Sequence, residues 1–404
     1  MTLLKCCCIF LMIILLIRFR VPLWASVLAA SAAAALLFQL PFPLFISRVW
    51  GTLSGRSCLE LLLITYGLIL LQQLMEEKQM LAAAEKSLSG LFHDPRRGSV
   101  ASAIVSGLLP SPAAVLMAGS MLKKRYAGLL PDDTTAFATT YFRHIPEALL
   151  PVYTNVILIC AVTGTPEWKF LLLMLPYTIL NVLVPYFIYL HPLKFSGIPG
   201  KADSSGNFRE LLACVLRSLW PVLLIILLIL CFRINTAVSV YLTLALFLIQ
   251  QKFTSRQLLR FLKSAWNWNM MLMVAAILIF TDILGFAQVP DALLLAVSAV
   301  PVPLFLIYGF VMFAGSIVSN FTAMIPAVFP LILSGTASSG ALIIYLASLG
   351  HLASQLCPTH ICISLCAEQF HISINDIFRR TIPVTAVMLA AATAIYLIMK
   401  TFPI

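Results

Sequence analysis

Long apolar runs, separated by short polar segments, extend over almost the whole of this chain. A helix needs about 20 apolar residues to cross the ~30 Å hydrocarbon core of a bilayer, and most of the runs approach or exceed that length. The predicted spans are 4–19, 21–40, 57–75, 145–163, 169–191, 209–231, 235–250, 266–285, 339–367 and 381–399. The pattern predicts an all-α polytopic membrane protein with about ten transmembrane helices.

Composition and charge support this class. Hydrophobic residues make up 61% of the 404 residues and charged residues only 10%, whereas a soluble protein carries about 25% charged residues. The net charge of +11 comes mostly from basic residues in loops, which is typical of membrane orientation rather than of a nucleic-acid-binding surface. We expect the lipid bilayer as a partner and no nucleic acid. Two amphipathic segments, 76–91 and 252–266, are predicted to lie on the cytoplasmic surface.

A polar segment near the midpoint separates two halves that share a pattern. The motif His-x4-Leu-x-Pro occurs at 144–151 and again at 351–358, an offset of 207. Earlier in each half lies an apolar run that is interrupted, and the two interrupted runs are about 210 residues apart. Earlier still, each half has a run with a polar end, at Gln73 in the first half and at Asp282 in the second, again about 210 residues apart. Recurrence in the same order predicts a duplicated chain. The predicted units are a first repeat over 1–193, a cytoplasmic linker at 194–208 and a second repeat over 209–404.

The interrupted runs, at about 99–120 and about 304–334, are broken by residues that disfavour a continuous lipid-facing helix. Each arm is too short to cross the bilayer. A turn at membrane depth is tolerated only when it is buried in protein or lines a wet cavity. We therefore predict two re-entrant hairpins, together with helices broken at Pro151 and Pro358.

The positions of the basic residues predict that the two halves have opposite orientations. With an external N-terminus and hairpins that return to their own side, eighteen of the 26 Lys and Arg residues fall inside, six outside and two within spans. This is a clear positive-inside bias. Five true spans in each half then give an inverted repeat with opposed hairpins and with both termini outside.

The sequence resembles a known family at two motifs. Tyr-Phe-Arg-His-Ile-Pro-Glu at 141–147, followed by Pro151, and Cys-Pro-Thr-His-Ile-Cys at 357–362 resemble a prokaryotic integral membrane family catalogued as domain of unknown function 401. The broken elements resemble the ion-transporter superfamily of anion and carboxylate symporters and antiporters. That resemblance implies one substrate site between two hairpins and two broken helices, with elevator-type alternating access, usually in a homodimer. It also implies a prokaryotic inner-membrane location.

The broken elements predict a secondary active transporter of a small organic anion, coupled to Na⁺ or H⁺, and not an enzyme. Half-helix N-termini carry partial positive charge suited to an anion, and freed carbonyls can hold a cation. No other cofactor is expected. The predicted substrate-binding residues are Ser106, Gly107, Pro110, Ser111, Tyr153, Asn155, Ser319, Asn320, Thr322, Thr359 and His360.

Ionisable residues inside predicted spans, or directly at their ends, are candidates for coupling, because they are costly to bury in a membrane. The candidates are Arg143, His144, Glu147, Asp282 and His351. Each has a structural alternative. Arg143 and Glu147 stand at i,i+4 and can neutralise each other, Asp282 can lie at the end of a span, and duplicated histidines can serve packing. The cysteines near His360 recur at helical spacing in an apolar run, so packing is favoured and no metal site is predicted.

Two other function classes stay open. The first is an intramembrane enzyme that pairs Ser316 or Ser319 with His351, although the motifs H-E-x-x-H, G-x-S-x-G and the phosphate-binding loop are absent from the sequence. The second is a lipid-handling or ion-conducting protein built on the same repeat. Fold analogy favours a solute carrier over both.

Overall fold

All regular structure in the described part of the chain is helical, which confirms the all-α fold class. The computed structural model describes residues 5, 8–9, 11–13, 15–16, 19, 21–92, 94–108, 115–116, 118–120, 122–123, 129–193, 207–287, 301–333, 339–358 and 360–401.

The helices of the first half are α1 (Leu23–Leu37), α2 (Phe42–Ser54), α3 (Arg56–Glu77), α4 (Met80–Leu91), α5 (Pro95–Ser106), α6 (Asp132–Arg143), α7 (Ile145–Leu149), α8 (Thr154–Thr163) and α9 (Glu167–Pro185), which continues as a π-helical turn (Tyr186–Leu190). Those of the second half are α10 (Phe208–Leu230), α11 (Thr236–Gln250), α12 (Ser255–Ser264), α13 (Trp268–Phe286), α14 (Leu304–Ser319), α15 (Phe321–Leu333), α16 (Gly340–Ser354), α17 (Ile361–Phe370) and α18 (Ile374–Thr401).

The outer surface is apolar, as in a membrane-embedded protein. Leu36, Trp50 and Phe310 each expose more than 70% of their surface, which in water would be an unusual loss of apolar burial. Six helical stretches among the described residues are long and apolar enough to cross a membrane: Arg56–Glu77, Asp132–Thr163, Glu167–Leu190, Phe208–Leu230, Trp268–Phe286 and Ile374–Thr401. Five shorter apolar helices of 10–17 residues accompany them.

Two helices differ from the sequence-based prediction. α6 begins at Asp132, well before the predicted span start at 145. Its threonine hydroxyls donate to backbone carbonyls one turn earlier, and these hydrogen bonds allow polar side chains to be buried in the helix. α2 was not predicted. It has no buried residue, and its apolar pattern is interrupted by Pro43 and Arg48.

The two halves interlock instead of forming separate bundles. α13 packs along α1, and α11 packs against α3. α8 of the first half packs on α15 of the second, and Val115 of the first half packs among residues of α17 in the second. One large buried cluster contains apolar side chains from both halves. Each half therefore completes the core of the other.

Two helices are interrupted at equivalent places. α6 ends at Arg143, α7 adds one short turn, and α8 begins at Thr154 after an extended stretch. In the second half, α16 ends at Ser354 and α17 begins at Ile361. Both gaps contain a proline, Pro151 and Pro358, which lacks the N–H that a continuing helix would need. The breaks predicted at these prolines are confirmed.

Asn320 alone joins α14 to α15 and forms the tip of a helical hairpin. Its φ of 102° lies in a region that costs an L-residue about 1–3 kcal/mol. Its side-chain Oδ1 accepts from the backbone N–H of Thr322 at 2.9 Å. Gly315 lies directly against the side chain of Met324, so α15 folds back along α14. The tip of the predicted first hairpin lies outside the described residues.

In each half, a glycine lies at a close approach to a broken helix or within one. A Cβ on Gly107, which follows α5, would lie 1.9 Å from the carbonyl oxygen of Arg143 at the end of α6. A Cβ on Gly350 of α16 would lie 2.1 Å from the ring of Phe321, the first residue of α15. Position 350 follows position 143 by 207 residues, so the two close approaches occur at corresponding places in the two halves.

Gly107→Ala is expected to lower the free energy of unfolding by about 1–3 kcal/mol, because the added methyl overlaps a backbone carbonyl that cannot rotate away. Gly51→Ala is the matched control, since no atom lies within 4 Å of its Cβ position and alanine favours a helix. Thermal unfolding in detergent measures both. Equal midpoints for the two variants would contradict the close approach.

Candidate functional site

Two histidines meet where the broken helices of the two halves face each other. His144 follows the last residue of α6, and His360 is the N-cap of α17. Their Nε2 atoms lie 2.9 Å apart, and the ring planes are nearly perpendicular at 85°. His144 is buried and His360 is half-buried. This contact, called here the histidine pair, joins residues 216 positions apart.

The proton positions of the histidine pair follow from its backbone partner. Nδ1 of His144 lies 2.6 Å from the carbonyl oxygen of Thr140, one of the carbonyls that the end of α6 leaves without a helical partner. A carbonyl only accepts, so this Nδ1 carries a hydrogen. Nε2 of a neutral His144 is then an acceptor, and Nε2–H of His360 donates to it.

His351, the repeat equivalent of His144, is held by different partners. Its Nε2–H donates to the backbone carbonyl of His144 at 2.8 Å, and its Nδ1 accepts from the Tyr177 hydroxyl at 2.8 Å. Both ring nitrogens are thus engaged, and the side chain is fully buried. His351 is thus a second donor to a carbonyl oxygen that also accepts from the backbone N–H of Glu147 at 3.1 Å. Its arrangement favours a structural role over the predicted coupling role.

A chain of side-chain hydrogen bonds connects the first broken helix to the second-half hairpin. Asn155 donates through Nδ2 to Glu147 Oε1 at 2.9 Å, and Thr322 donates through its hydroxyl to Asn155 Oδ1 at 2.5 Å. Asn155 is buried and the other two are half-buried. Glu147 accordingly bonds across the break to α8, and the amide of Asn155 has a partner at each end.

Arg143 brings a permanent positive charge to the same place. It is buried, and its Nη1 donates to Sγ of Cys362 at 3.6 Å. One ring nitrogen of each histidine of the pair and Sγ of Cys362 all lie within 4.8 Å of one another. Glu147 places a carboxyl group nearby, held by the amide of Asn155. The site therefore contains a permanent cation, a carboxyl group and a titratable histidine pair, supplied by both halves.

Two imidazole nitrogens and a thiol are donors that zinc also prefers. A tetrahedral metal with nitrogen bonds of about 2.0–2.1 Å separates its nitrogen ligands by about 3.3 Å, whereas the two Nε2 atoms lie at a hydrogen-bond distance of 2.9 Å. The guanidinium beside Cys362 also disfavours a second cation. The arrangement fits a shared proton better than a metal ion.

Other predicted site residues donate hydrogen bonds to backbone carbonyls. The Tyr153 hydroxyl donates to the carbonyl oxygen of Gly107, which ties the start of α8 to the end of α5. The hydroxyls of Ser106 and Ser319 donate to carbonyls of their own helices, each at 2.8 Å. The predicted residues Pro110, Ser111 and Thr359 lie outside the described residues.

Asp282 lies in a different environment. Its Oδ1 lies 3.5 Å from Nη1 of Arg48 on α2, and both side chains are about one third exposed. This contact matches the alternative of a charged residue near the end of a span. The described contacts of Asp282 do not include the residues of the histidine pair.

The serine–histidine dyad of the enzyme alternative is not formed by the described atoms. Ser316 donates to the sulfur of Met312 at 3.7 Å, and Ser319 bonds to its own helix. Both nitrogens of His351 have other partners. The described geometry offers no nucleophile–base pair at this position.

Sequence reasoning missed two tyrosines that support the site. Tyr177 on α9 bonds to His351, and Tyr141 on α6 donates to Asn181 Oδ1 at 2.6 Å. The sequence offered one indication of the contact between Tyr141 and Asn181. An amide such as Asn181 in a long apolar run needs a buried hydrogen-bond partner. Tyr177 gave no such signal, because tyrosine is common in membrane helices.

Residues 2–399 match the family described as Protein of unknown function (DUF401). The match covers both halves and every described residue of the site. No curated protein matches the chain at a significant level.

Asn155→Leu and Thr322→Val together are expected to cost less than the sum of the single changes, by about 0.5–2 kcal/mol, because each alone removes the same hydrogen bond. Unfolding free energies of the four proteins in a double-mutant cycle give this coupling. Thr163→Val with Thr322→Val is the control cycle, since Thr163 lies on the same helix as Asn155 and bonds locally. Additivity in both cycles would contradict the link between α8 and the hairpin.

Proposed function

We propose that this chain, which belongs to the DUF401 family, is a secondary active transporter that carries a small organic anion across the membrane. The observation that carries the proposal is the meeting of Arg143, Glu147 and the histidine pair at two helix breaks, between apolar helices. Ionisable groups inside a membrane protein are costly and mark ion or solute pathways. Their supply by both halves fits a site that opens alternately to each side.

Arg143 is the proposed anion-binding residue. A guanidinium offers planar, paired donors that match the two oxygens of a carboxylate. The positive ends of α8 and α17 add to this field, because each helix begins at its break, at Thr154 and Ile361. An ionised Glu147 would repel an anion that brings no proton or cation with it. A small carboxylate is the class of solute that these groups fit best.

The proposed architecture places this site at the midplane of an inverted repeat. In it, α14–α15 is a re-entrant hairpin, the segment at about 99–120 is its opposed counterpart, and about ten helices cross the membrane. Supporting this are the equivalent breaks and the packing of each half on the other. We further propose elevator-type alternating access in a homodimer of the prokaryotic inner membrane, with coupling to Na⁺ or H⁺.

A binding screen tests the anion assignment. Purified protein is heated with mono-, di- and tricarboxylates or inorganic anions, in sodium or potassium salt, at two pH values. An anion that binds only the folded state stabilises it by ~2.7 kcal/mol at one hundred times its dissociation constant, which raises the unfolding midpoint. No shift with any carboxylate would contradict the proposed solute class.

Arg143→Gln is expected to abolish the midpoint shift caused by the binding anion, because the charge that attracts the carboxylate is lost. Arg379→Gln is the matched control, since Arg379 is 82% exposed and its contact among the described residues is a long ion pair of 4.0 Å with Asp376. Each shift is measured relative to the anion-free midpoint of the same variant, which removes the effect of altered stability. An unchanged shift in Arg143→Gln would place the anion elsewhere.

A reporter experiment tests the proposed topology. Alkaline phosphatase fused after Thr401 is expected to be active, because the enzyme folds only outside the cytoplasm and the proposed C-terminus is external. Insertion of the same enzyme in the polar segment 194–206 is expected to be inactive. Equal activity at the two positions would contradict an odd number of spans between them.

A further inference from the structure

We infer that the ion coupled to transport is a proton and that the histidine pair, His144 and His360, is the site that binds it. The inference rests on the proposed transport function for its purpose, while the binding chemistry stands on the geometry of the pair. The two rings belong to opposite halves and meet between two broken helices. A proton bound here therefore sits on the contact between the halves.

The pair has room for one additional proton. Nδ1–H of His144 is committed to the Thr140 carbonyl, so the two facing Nε2 atoms share a single hydrogen when both rings are neutral. An added proton goes to Nδ1 of His360, and His360 becomes an imidazolium that donates a charge-assisted, stronger hydrogen bond to His144. A further proton would place two N–H groups face to face at 2.9 Å and would break the contact. Proton number thus controls how firmly the halves are joined.

Solvent reaches the pair through His360. This ring is half-buried and follows the exposed Pro358, whereas His144 is almost completely buried. Within the described part of the chain, Nδ1 of His360 has no hydrogen-bond partner, whereas the other three ring nitrogens of the pair are engaged in the contacts above. His360 is therefore the ring that takes up and releases the proton, and His144 is its buried acceptor.

The surrounding groups explain why a proton and an anion would bind together. The groups on the packed elements are Arg143 on α6, Glu147 on α7, His351 on α16, Cys357 in the second break and Cys362 on α17. The guanidinium of Arg143 opposes a second positive charge beside it. A carboxylate bound to Arg143 cancels that repulsion, so each ligand raises the affinity for the other. Symport of an anion with a proton follows.

The same donors argue against sodium at this position. Alkali and alkaline-earth cations prefer oxygen ligands, whereas the atoms that converge here are two imidazole nitrogens and a thiol. The oxygen-bearing side chains nearby, Glu147, Asn155 and Thr322, are already joined in one hydrogen-bonded chain.

Solid-state NMR of the full chain in lipid, labelled with ¹⁵N-histidine, tests the inference without any transported solute. The chain has six histidines, and His360→Gln, His144→Gln and His351→Gln assign the three that lie in the site. Burial disfavours the imidazolium form, so the titration extends to acid pH: between about pH 8 and pH 4, we expect the two rings of the pair to take up one proton in total, with their signals moving together. His360→Gln is expected to abolish the joint movement, and His351→Gln to preserve it.

His144→Gln removes a helix-end hydrogen bond and can destabilise the fold, so His360→Gln, at the half-buried position, decides the test. Uptake of two protons, uptake of none down to about pH 4, or independent movement of the two signals would overturn the inference. So would one equivalent of a tightly bound metal in the purified protein, measured by mass spectrometry, that disappears in His360→Gln.

The binding screen separates this inference from the proposed function. Joint titration of the pair together with no midpoint shift for any anion would contradict anion transport and leave the proton site standing. A midpoint shift with an anion, together with independent titration of the two histidines, would support anion binding and contradict the proton site. When an anion binds, adding it at a fixed pH is expected to increase the imidazolium signal of the pair. A decrease would overturn symport.

Discussion

The structure depends on how the backbone is satisfied where two apolar helices break. A helix interrupted in a low-dielectric interior leaves carbonyl and N–H groups that lipid cannot bond, at a cost of several kcal/mol each. Here the side chains next to the breaks supply the partners. His144 bonds to the Thr140 carbonyl, His351 to the His144 carbonyl, and Tyr153 to the Gly107 carbonyl. The bond from His351 to the His144 carbonyl runs between the halves. The same hydrogen bond therefore stabilises a helix break and joins the two halves.

This arrangement puts the site and the contact between the halves in the same place. The histidine pair and the hydrogen bond between Thr322 and Asn155 both join one half to the other. Under the proposed function, an anion bound to Arg143 would change the charge beside these contacts and so act directly on the packing of the halves. The proposed alternation between two states would then need no longer pathway.

Sequence reasoning predicted the features that depend on local chemistry and missed those that depend on partners across the fold. Pro151, Pro358 and Asn320 mark breaks because each disturbs the helix at its own position. The sequence repeat made His144 and His351 equivalent, yet their partners differ, because Tyr177 lies within reach of one ring only. Asp282 likewise was placed near the site by its position along a helix, whereas its described partner is Arg48. Position along a helix gives depth in the membrane, but the facing element decides the contact.

The central claim is that the chain drives an anion uphill by coupling it to an ion gradient, and accumulation in sealed vesicles tests it most directly. The carboxylate that most stabilises the protein is supplied in radiolabelled form to liposomes containing the purified chain, with an acidic exterior and an alkaline interior. The account predicts a transient internal concentration above the external one, lost on adding a protonophore and absent from empty liposomes. An internal concentration that only equals the external one, whatever the proton or sodium gradient, would contradict the account.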